Sequence, residues 1–106
     1  MSETVYHIDD MEWEPAIHYP SGAEVKVLRR GEDWSSWTIL LKMPPNWQMY
    51  PHVHGATEEH FVLEGAYEID EQLYAKGTYQ FIPTGTRHGL LKSQTGAVVL
   101  IVGHRA

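Results

Sequence analysis

The sequence predicts an all-β sandwich or barrel. From Val25 onward, short runs of β-branched and aromatic residues alternate with turn residues at roughly 10-residue spacing, which is typical of such folds. No window of a dozen residues free of Gly and Pro carries the apolar period of an amphipathic helix. Pro44, Pro45 and Pro83 fall between the runs, as expected if the runs are interior strands.

Composition distinguishes two parts of the chain. Residues 1–22 are mixed and interrupted by Pro15, Pro20 and Gly22, so we expect an N-terminal arm or an edge strand there. Residues 23–106 carry the barrel. The two parts together form a single domain, because 106 residues are enough to bury a core without disulfides.

The strand predictions follow the apolar runs in order. These runs lie at residues 25–28, 34–43, 48–54, 59–64, 66–73, 78–82, 88–91 and 97–102. Glu64-Gly65 and Asp70-Glu71 are predicted hairpin turns, and residues 83–86 are a predicted loop. Four aromatic residues are expected to fill the core in preference to lining a pocket, namely Trp37, Trp47, Tyr79 and Phe81.

Composition also excludes several classes of function. The chain has 8 Lys and Arg against 14 Asp and Glu, a net charge of −6, whereas nucleic-acid binding needs a basic face. It has no cysteine to form a disulfide, a thiolate metal site or a nucleophile. No apolar run reaches the roughly 20 residues that span a bilayer, and the first residues lack the pattern of a signal peptide. We therefore expect a cytoplasmic protein that binds neither nucleic acid nor membranes.

His52 and His54 are the first candidate functional residues. Side chains at positions i and i+2 of a strand lie on the same face, so the two imidazoles can converge on one point. The pair alone fits two histidines on a barrel rim equally well. Its context adds a carboxylate, Glu58, four residues after His54, and then Gly65, which would permit a tight hairpin.

Two spaced motifs carry a resemblance to a known family. The first motif reads His52-x-His54-x3-Glu58-x6-Gly65, and the second reads Gly77-x5-Pro83-x-Gly85-x2-His88. With these motifs the chain resembles a small single-domain member of the cupin superfamily. It departs from the family pattern at Asn46, in place of the first glycine, and at Lys92, in place of a final asparagine. Asn is the residue that best tolerates a positive φ after Gly, and neither position is a metal-ligand position.

The resemblance implies a double-sheet jelly-roll β-barrel that holds one divalent metal ion. Carried over to this sequence, its ligands are His52, His54, Glu58 and His88. Three imidazoles and one carboxylate suit Fe(II), Zn(II), Mn(II), Ni(II) or Co(II), and Fe(II) is favoured if the site is catalytic. Four ligands leave two positions on an octahedral ion for water, substrate or O₂.

Three neighbouring residues have alternative interpretations. Glu59 could replace Glu58 as ligand, but Glu58 keeps the six-residue gap to Gly65, and strand alternation would turn Glu59 outward. His60 shares the parity of Glu58 and is a candidate acid or base, or equally a hydrogen-bonded core histidine. Tyr50 shares the parity of His52 and is a candidate residue of the pocket mouth, or equally a core aromatic.

A weaker resemblance concerns function. The order of elements before the first motif is similar to that of acetylacetone- and dihydroxyacetophenone-cleaving dioxygenases, and to the cupin domain of some anti-sigma factors. We therefore expect a non-haem metal dioxygenase that acts on a small carbonyl or phenolic substrate. The alternatives are a metal- or ligand-binding sensor module and a metal-dependent isomerase or lyase. The apolar residues between positions 4 and 20 predict a homodimer.

Overall fold

Strands and turns make up almost the whole chain. A computed structural model describes residues 2–105, and the all-β prediction is confirmed. The strands are β1 (Glu14–Pro15), β2 (Glu24–Arg30), β3 (Ser36–Met43), β4 (Trp47–Met49), β5 (His52–Val53), β6 (Thr57–Ile69), β7 (Gln72–Ala75), β8 (Tyr79–Ile82), β9 (Arg87–His88), β10 (Leu91–Ser93) and β11 (Ala97–His104). Single 3-10 turns lie at Ile8–Asp10 and Glu32–Trp34.

The long strand β6 joins the two layers of the fold. Its first half pairs with β11 and β8, and its second half pairs with β10 and β7. Strands β1, β2 and β3 extend the first layer from β11, and β4 extends the second layer from β10. The sheet therefore curls over itself into the expected double-sheet jelly roll. Strands β5 and β9 form a separate two-stranded ribbon.

Gly65 lies inside β6 and not in a turn, so the predicted hairpin at Glu64-Gly65 is wrong. Its φ is 69°, and a Cβ on Gly65 would clash with the backbone carbonyl of Gly96. The register with β11 shifts beside it, between Val98 and Val99. Gly65 thus lets the strand bend from one layer into the other. The true hairpin is the second predicted turn, where residues 70 and 71 both have positive φ.

The core lies between the two layers. Alternate residues of the central strands point inward and are almost fully buried: Ile39, Leu41, Met43, Val62, Tyr67, Ile69, Val99 and Ile101. Each such side chain contributes roughly 1.5–3 kcal/mol by leaving water. Trp47 joins this core, and its indole nitrogen donates to the carbonyls of Pro20 and Ser21 at 3.2 Å each. The core therefore fixes the N-terminal segment as well.

Two of the four aromatic residues expected in the core are not there. Tyr79 and Phe81 are 54% and 57% exposed, because the alternation of β8 turns Gln80 and Ile82 inward instead. Trp47 is buried, and Trp37 packs against the core as expected. The apolar face of β8 therefore lies on the outside of the molecule.

The segment before residue 23 lies on its own barrel. Strand β1 pairs with the edge of β2, and Tyr19 packs against the core. On the outer face, the Lys26 amine donates to the Ile8 carbonyl at 2.9 Å and lies 4.6 Å from the centre of the Trp13 ring. Within residues 2–105, no helix has the length and apolar character needed to cross a bilayer.

Candidate metal centre

Three histidines from the two sequence motifs lie close together in the structure. His52 of β5 is the register partner of His88 of β9, and their ring centroids are 6.0 Å apart. The ring of His54 lies 4.8 Å from His52 and 4.9 Å from His88. The fold thus brings the first and second motifs together at this point.

Backbone hydrogen bonds hold the second motif against the first. The amide of His54 donates to the Thr86 carbonyl at 2.9 Å, and the amide of Gly85 donates to the His54 carbonyl at 2.8 Å. The hydroxyls of Thr57 and Thr84 are also hydrogen-bonded, at 3.0 Å. The loop between β8 and β9 is therefore fixed to the segment that carries His54, which sets the distance between the two groups of histidines.

Glu58 faces the histidines from the start of β6. Its Oε1 accepts a hydrogen bond of 2.7 Å from His60 Nε2 and lies 3.6 Å from His54 Nδ1. Burial alone would raise the pKa of Glu58, but the hydrogen bond from His60 and the nearby histidine charges lower it overall. Glu58 is therefore an ionised carboxylate at neutral pH.

The imidazoles of His54 and His88 are neutral at physiological pH. Burial lowers the pKa of His54 to about 4, with the charges of His52 and His88 adding to the effect and Glu58 opposing it. Burial also lowers the pKa of His88. The charges of His52 and His60 lower it further, and those of Asp70 and Glu58 oppose the shift. Neutral imidazole is the form that binds a metal ion.

A divalent ion fits the unused hydrogen-bonding groups of this centre. Nε2 of His88 is buried and has no hydrogen-bond partner among residues 2–105. Nδ1 of His52 lies 3.0 Å from the Tyr50 carbonyl, which leaves Nε2 of His52 free for a ligand bond when Nδ1 carries the proton. No three donor groups in the described chain are already arranged around one point. Binding of an ion would therefore require some of these side chains to rotate.

A cavity of about 340 Å³ opens onto two of these histidines. It is lined by Pro51, His52, Asp70, Arg87, His88 and Gly89. A larger cavity of about 570 Å³ lies across β4, β10 and the second half of β6, and it contains none of the candidate ligands. The smaller cavity combines imidazoles with groups of both charges.

The other sequence candidates are placed as follows. His60 points toward the centre, 6.2 Å from His54 between ring centroids. Glu59 lies on the opposite face of β6, where it accepts a 2.6 Å hydrogen bond from the Tyr79 hydroxyl. Tyr50 is 77% exposed and contacts the centre through its carbonyl, so the structure gives its hydroxyl no contact with the histidines. The three histidines outside the motifs are exposed: His7, His18 and His104.

Sequence reasoning missed two residues near the centre. Tyr19 belongs to the irregular N-terminal segment, yet burial and the negative charge of Glu58 both raise its pKa. Asp70 was assigned only to a predicted hairpin turn, but its carboxylate packs on Gly89, the neighbour of His88. No periodic pattern signals either contact, because both depend on how loops pack on distant strands.

The curled double sheet and the histidine cluster define the class of this protein, which is a cupin. More specifically, the chain belongs to the ChrR cupin-like domain family, whose sequence model matches residues 1–106. A comparison with curated proteins gives no match.

Solved structures with the same fold come from proteins of different kinds. The acetylacetone dioxygenase of Acinetobacter johnsonii has a TM-score of 0.82 and 20% identity, covering 98% of this chain and 75% of that chain. KdgF of Halomonas sp. has a TM-score of 0.78 and 15% identity, covering 99% and 96%. A chain of the Rhodobacter sphaeroides SigE–ChrR anti-sigma complex has a TM-score of 0.71 and 18% identity, covering 91% and 51%. At these identities the likeness concerns the fold alone.

Proposed function

We propose that this domain binds one divalent metal ion through His52, His54, Glu58 and His88. The observation that carries the proposal is the meeting of three imidazoles, one of which, His88, has a buried Nε2 with no hydrogen-bond partner among residues 2–105. A buried polar nitrogen without a partner costs free energy, and a ligand bond to a metal ion would satisfy it. The ionised Glu58 would balance part of the charge of the ion.

We propose further that the site is catalytic, of the non-haem dioxygenase type, with Fe(II) as the metal and a small carbonyl or phenolic compound as the substrate. When bound, the ion supplies Lewis acidity and two exchangeable coordination positions. The likeness of fold to an acetylacetone dioxygenase supports this choice among cupin activities. The cavity of about 340 Å³ beside His52 and His88 has a size that suits a small molecule.

The residues around the proposed ligands have separable roles in this scheme. His60 would hold a proton on Nε2 at the Glu58 carboxylate, where it can be exchanged with a substrate oxygen. Arg87 would attract a negatively charged oxygen of the substrate at the cavity wall. Tyr50 would orient His52 through its carbonyl, and its exposed hydroxyl would lie at the mouth of the site.

Metal analysis together with oxygen consumption tests this proposal. Protein purified without added metal should contain close to one divalent ion per chain, and the Fe(II)-loaded form should consume O₂ with a β-diketone or a catechol-like compound. His54→Ala should lose both metal and turnover, whereas His18→Ala, an exposed histidine outside the motifs, should retain both. Wild-type protein that binds no divalent ion would contradict the proposal at its first step.

A second candidate function is a metal- or ligand-binding sensor module. The family match favours it, because ChrR is an anti-sigma protein in the related complex. This candidate shares the metal site but requires no turnover. Metal binding without O₂ consumption for any small carbonyl or phenolic compound would favour it over the dioxygenase.

We further propose that the protein acts in the cytoplasm and as a homodimer.

A further inference from the structure

The cavity beside His52 and His88 has one negative and one positive side chain in its wall. Asp70 lies in the turn between β6 and β7, and Arg87 lies on β9. Both side chains are exposed. Among residues 2–105, neither forms an ion pair with the other or with any third residue. The cavity thus offers two opposite charges that do not neutralise each other directly.

Strand pairing places Asp70 at this cavity. Asp70 and Glu71 form the two-residue turn between β6 and β7, and their φ values of 50° and 67° fit a hairpin of this type. Ile69, just before the turn, is the register partner of Leu91 of β10. The turn therefore lies beside residues 89–90, which lead into β10.

Gly89 makes room for the carboxylate of Asp70. A Cβ at Gly89 would clash with Oδ1 of Asp70, so the carboxylate occupies the place that a side chain would take. The negative charge of Asp70 also opposes the fall in the pKa of His88, which shows that the carboxylate acts on the groups of the centre. The missing side chain at residue 89 therefore brings a carboxylate to the cavity wall beside His88.

Arg87 is held in place by the ribbon of β5 and β9. Its register partner is Val53, and the carbonyl of the preceding Thr86 accepts a 2.9 Å hydrogen bond from the amide of His54. A guanidinium group stays charged at any physiological pH, and its planar set of donors matches a carboxylate. Arg87 is therefore a fixed positive group in the same cavity wall.

Charges of both signs in one small cavity suit a ligand that carries both. We propose that the cavity takes a small zwitterion, whose carboxylate binds at Arg87 and whose ammonium group binds at Asp70. The inference rests on the proposed function, because it narrows the substrate of the same site to amino-acid-like molecules. The net charge of −6 agrees with it, since the chain repels a simple anion more than a molecule without net charge. The volume of about 340 Å³ accommodates a molecule of this size.

A matched series of probes tests the requirement for two charges. Glycine, β-alanine and γ-aminobutyrate carry both groups at increasing separation, and the carboxylate and the amine of the same chain length carry one group each. The NMR shift of the Gly89 amide follows binding, at low ionic strength because salt screens exposed charges. The amino acid of the best-fitting length should bind at least about threefold more tightly than both of its single-charge analogues, a modest factor because exposed ion pairs are weak.

Charge variants assign the two groups. Asp70→Asn keeps the size of the side chain on Gly89 and removes the charge, so the amino acid should bind no better than its carboxylate analogue. Arg87→Gln should in turn remove the advantage over the amine analogue. Glu71→Gln changes the neighbouring residue of the same turn, which is not part of the cavity wall, and should leave both preferences unchanged.

Three results would overturn the inference: equal binding of the amino acids and their analogues, no binding of any probe, or a preference that survives Asp70→Asn. The titrations are made with the protein as purified and again after removal of metal, with metal content measured on both samples. Protein that binds a metal ion but does not prefer zwitterions contradicts this inference alone. Protein that prefers zwitterions but binds no metal ion supports the inference and contradicts the proposed metal site.

Discussion

His52 and His88 lie directly opposite each other across β5 and β9, with their ring centroids 6.0 Å apart. Each of these strands is only two residues long, so the ribbon cannot be stable by itself. The backbone hydrogen bonds of His54 to Thr86 and Gly85 hold it in place. The geometry of the proposed metal site therefore depends on how the loop between β8 and β9 packs on the segment that carries His54.

Removing one proposed ligand should lower metal affinity without unfolding the barrel. We expect His88→Ala to weaken metal binding at least tenfold, because the variant lacks one of the four proposed ligand atoms. In the metal-free protein this atom, Nε2 of His88, is buried without a hydrogen-bond partner among residues 2–105. Isothermal titration with Zn(II) or Co(II) measures the change, and the unfolding midpoint of the metal-free protein checks the fold. Equal affinities for His88→Ala and the surface control His18→Ala would remove His88 from the ligand set.

Glu58 and Glu59 are adjacent carboxylates on opposite faces of β6, and they form a matched pair of variants. Glu58→Gln should reduce metal affinity at least tenfold, since Glu58 is the carboxylate beside His54. Glu59→Gln should leave the affinity unchanged, because Glu59 contacts Tyr79 on the outer face. The same titration distinguishes them. A loss of affinity in Glu59→Gln alone would show that Glu59 is the ligand, and it would contradict the assignment of Glu58.

Alanine variants at two glycines with similar backbone conformations distinguish the cost of backbone strain from the cost of a steric clash. Gly65 and Gly77 have φ of 69° and 92°, so alanine at either position is strained by about 1–2 kcal/mol. A Cβ at Gly77 would have no atom of the described residues within 4 Å, whereas a Cβ at Gly65 would clash with the backbone of Gly96. Urea unfolding should therefore show a clearly larger loss of stability for Gly65→Ala. Equal losses would mean that Gly96 moves freely and that the bend of β6 is not tightly packed.

The metal-free protein should lose stability as the pH falls from 6.5 toward 4. Burial lowers the pKa of His54 to about 4 in the folded state, against 6.5 for an ordinary histidine. Between these values the unfolded chain binds the proton and the folded chain does not, so acidification favours unfolding. His88 contributes in the same direction.

Urea unfolding in the presence of a chelator, at pH 7 and at pH 5, measures this effect. His54→Gln should show a smaller loss between the two pH values than wild type, because it removes the titrating group. The lowered pKa of Glu58 acts mainly around and below the ordinary glutamate value of 4.5, which is lower than both of these pH values. A variant that loses as much stability as wild type would show that His54 is not the group responsible.

The sequence allowed the candidate ligands to be predicted because their spacing is local information. Side-chain alternation along β6 is enough to put Glu58 and His60 on one face and Glu59 on the other. His88 is predicted by the resemblance of the second motif to the cupin pattern. The assignment of faces along β6 needs only a strand, whatever that strand pairs with.

Other features depend on contacts between distant segments and could not be predicted. A glycine such as Gly65 has the same local pattern in a hairpin turn and in a bent strand, and only the approach of Gly96 decides between them. Tyr79 and Phe81 are as apolar as core residues, but the register of β8 with β6 turns them outward. Tyr19 and Asp70 lie near the proposed site but belong to irregular segments, whose sequences have no periodic pattern from which these contacts could be predicted.

The central claim is an open metal site formed by His52, His54, Glu58 and His88, and the spectrum of the Co(II)-substituted protein tests it most directly. The account predicts one Co(II) per chain, with visible bands that shift when azide or a bidentate oxygen chelator replaces the exchangeable ligands. A Co(II) spectrum of a closed four-coordinate ion, unchanged by either reagent, would contradict the account.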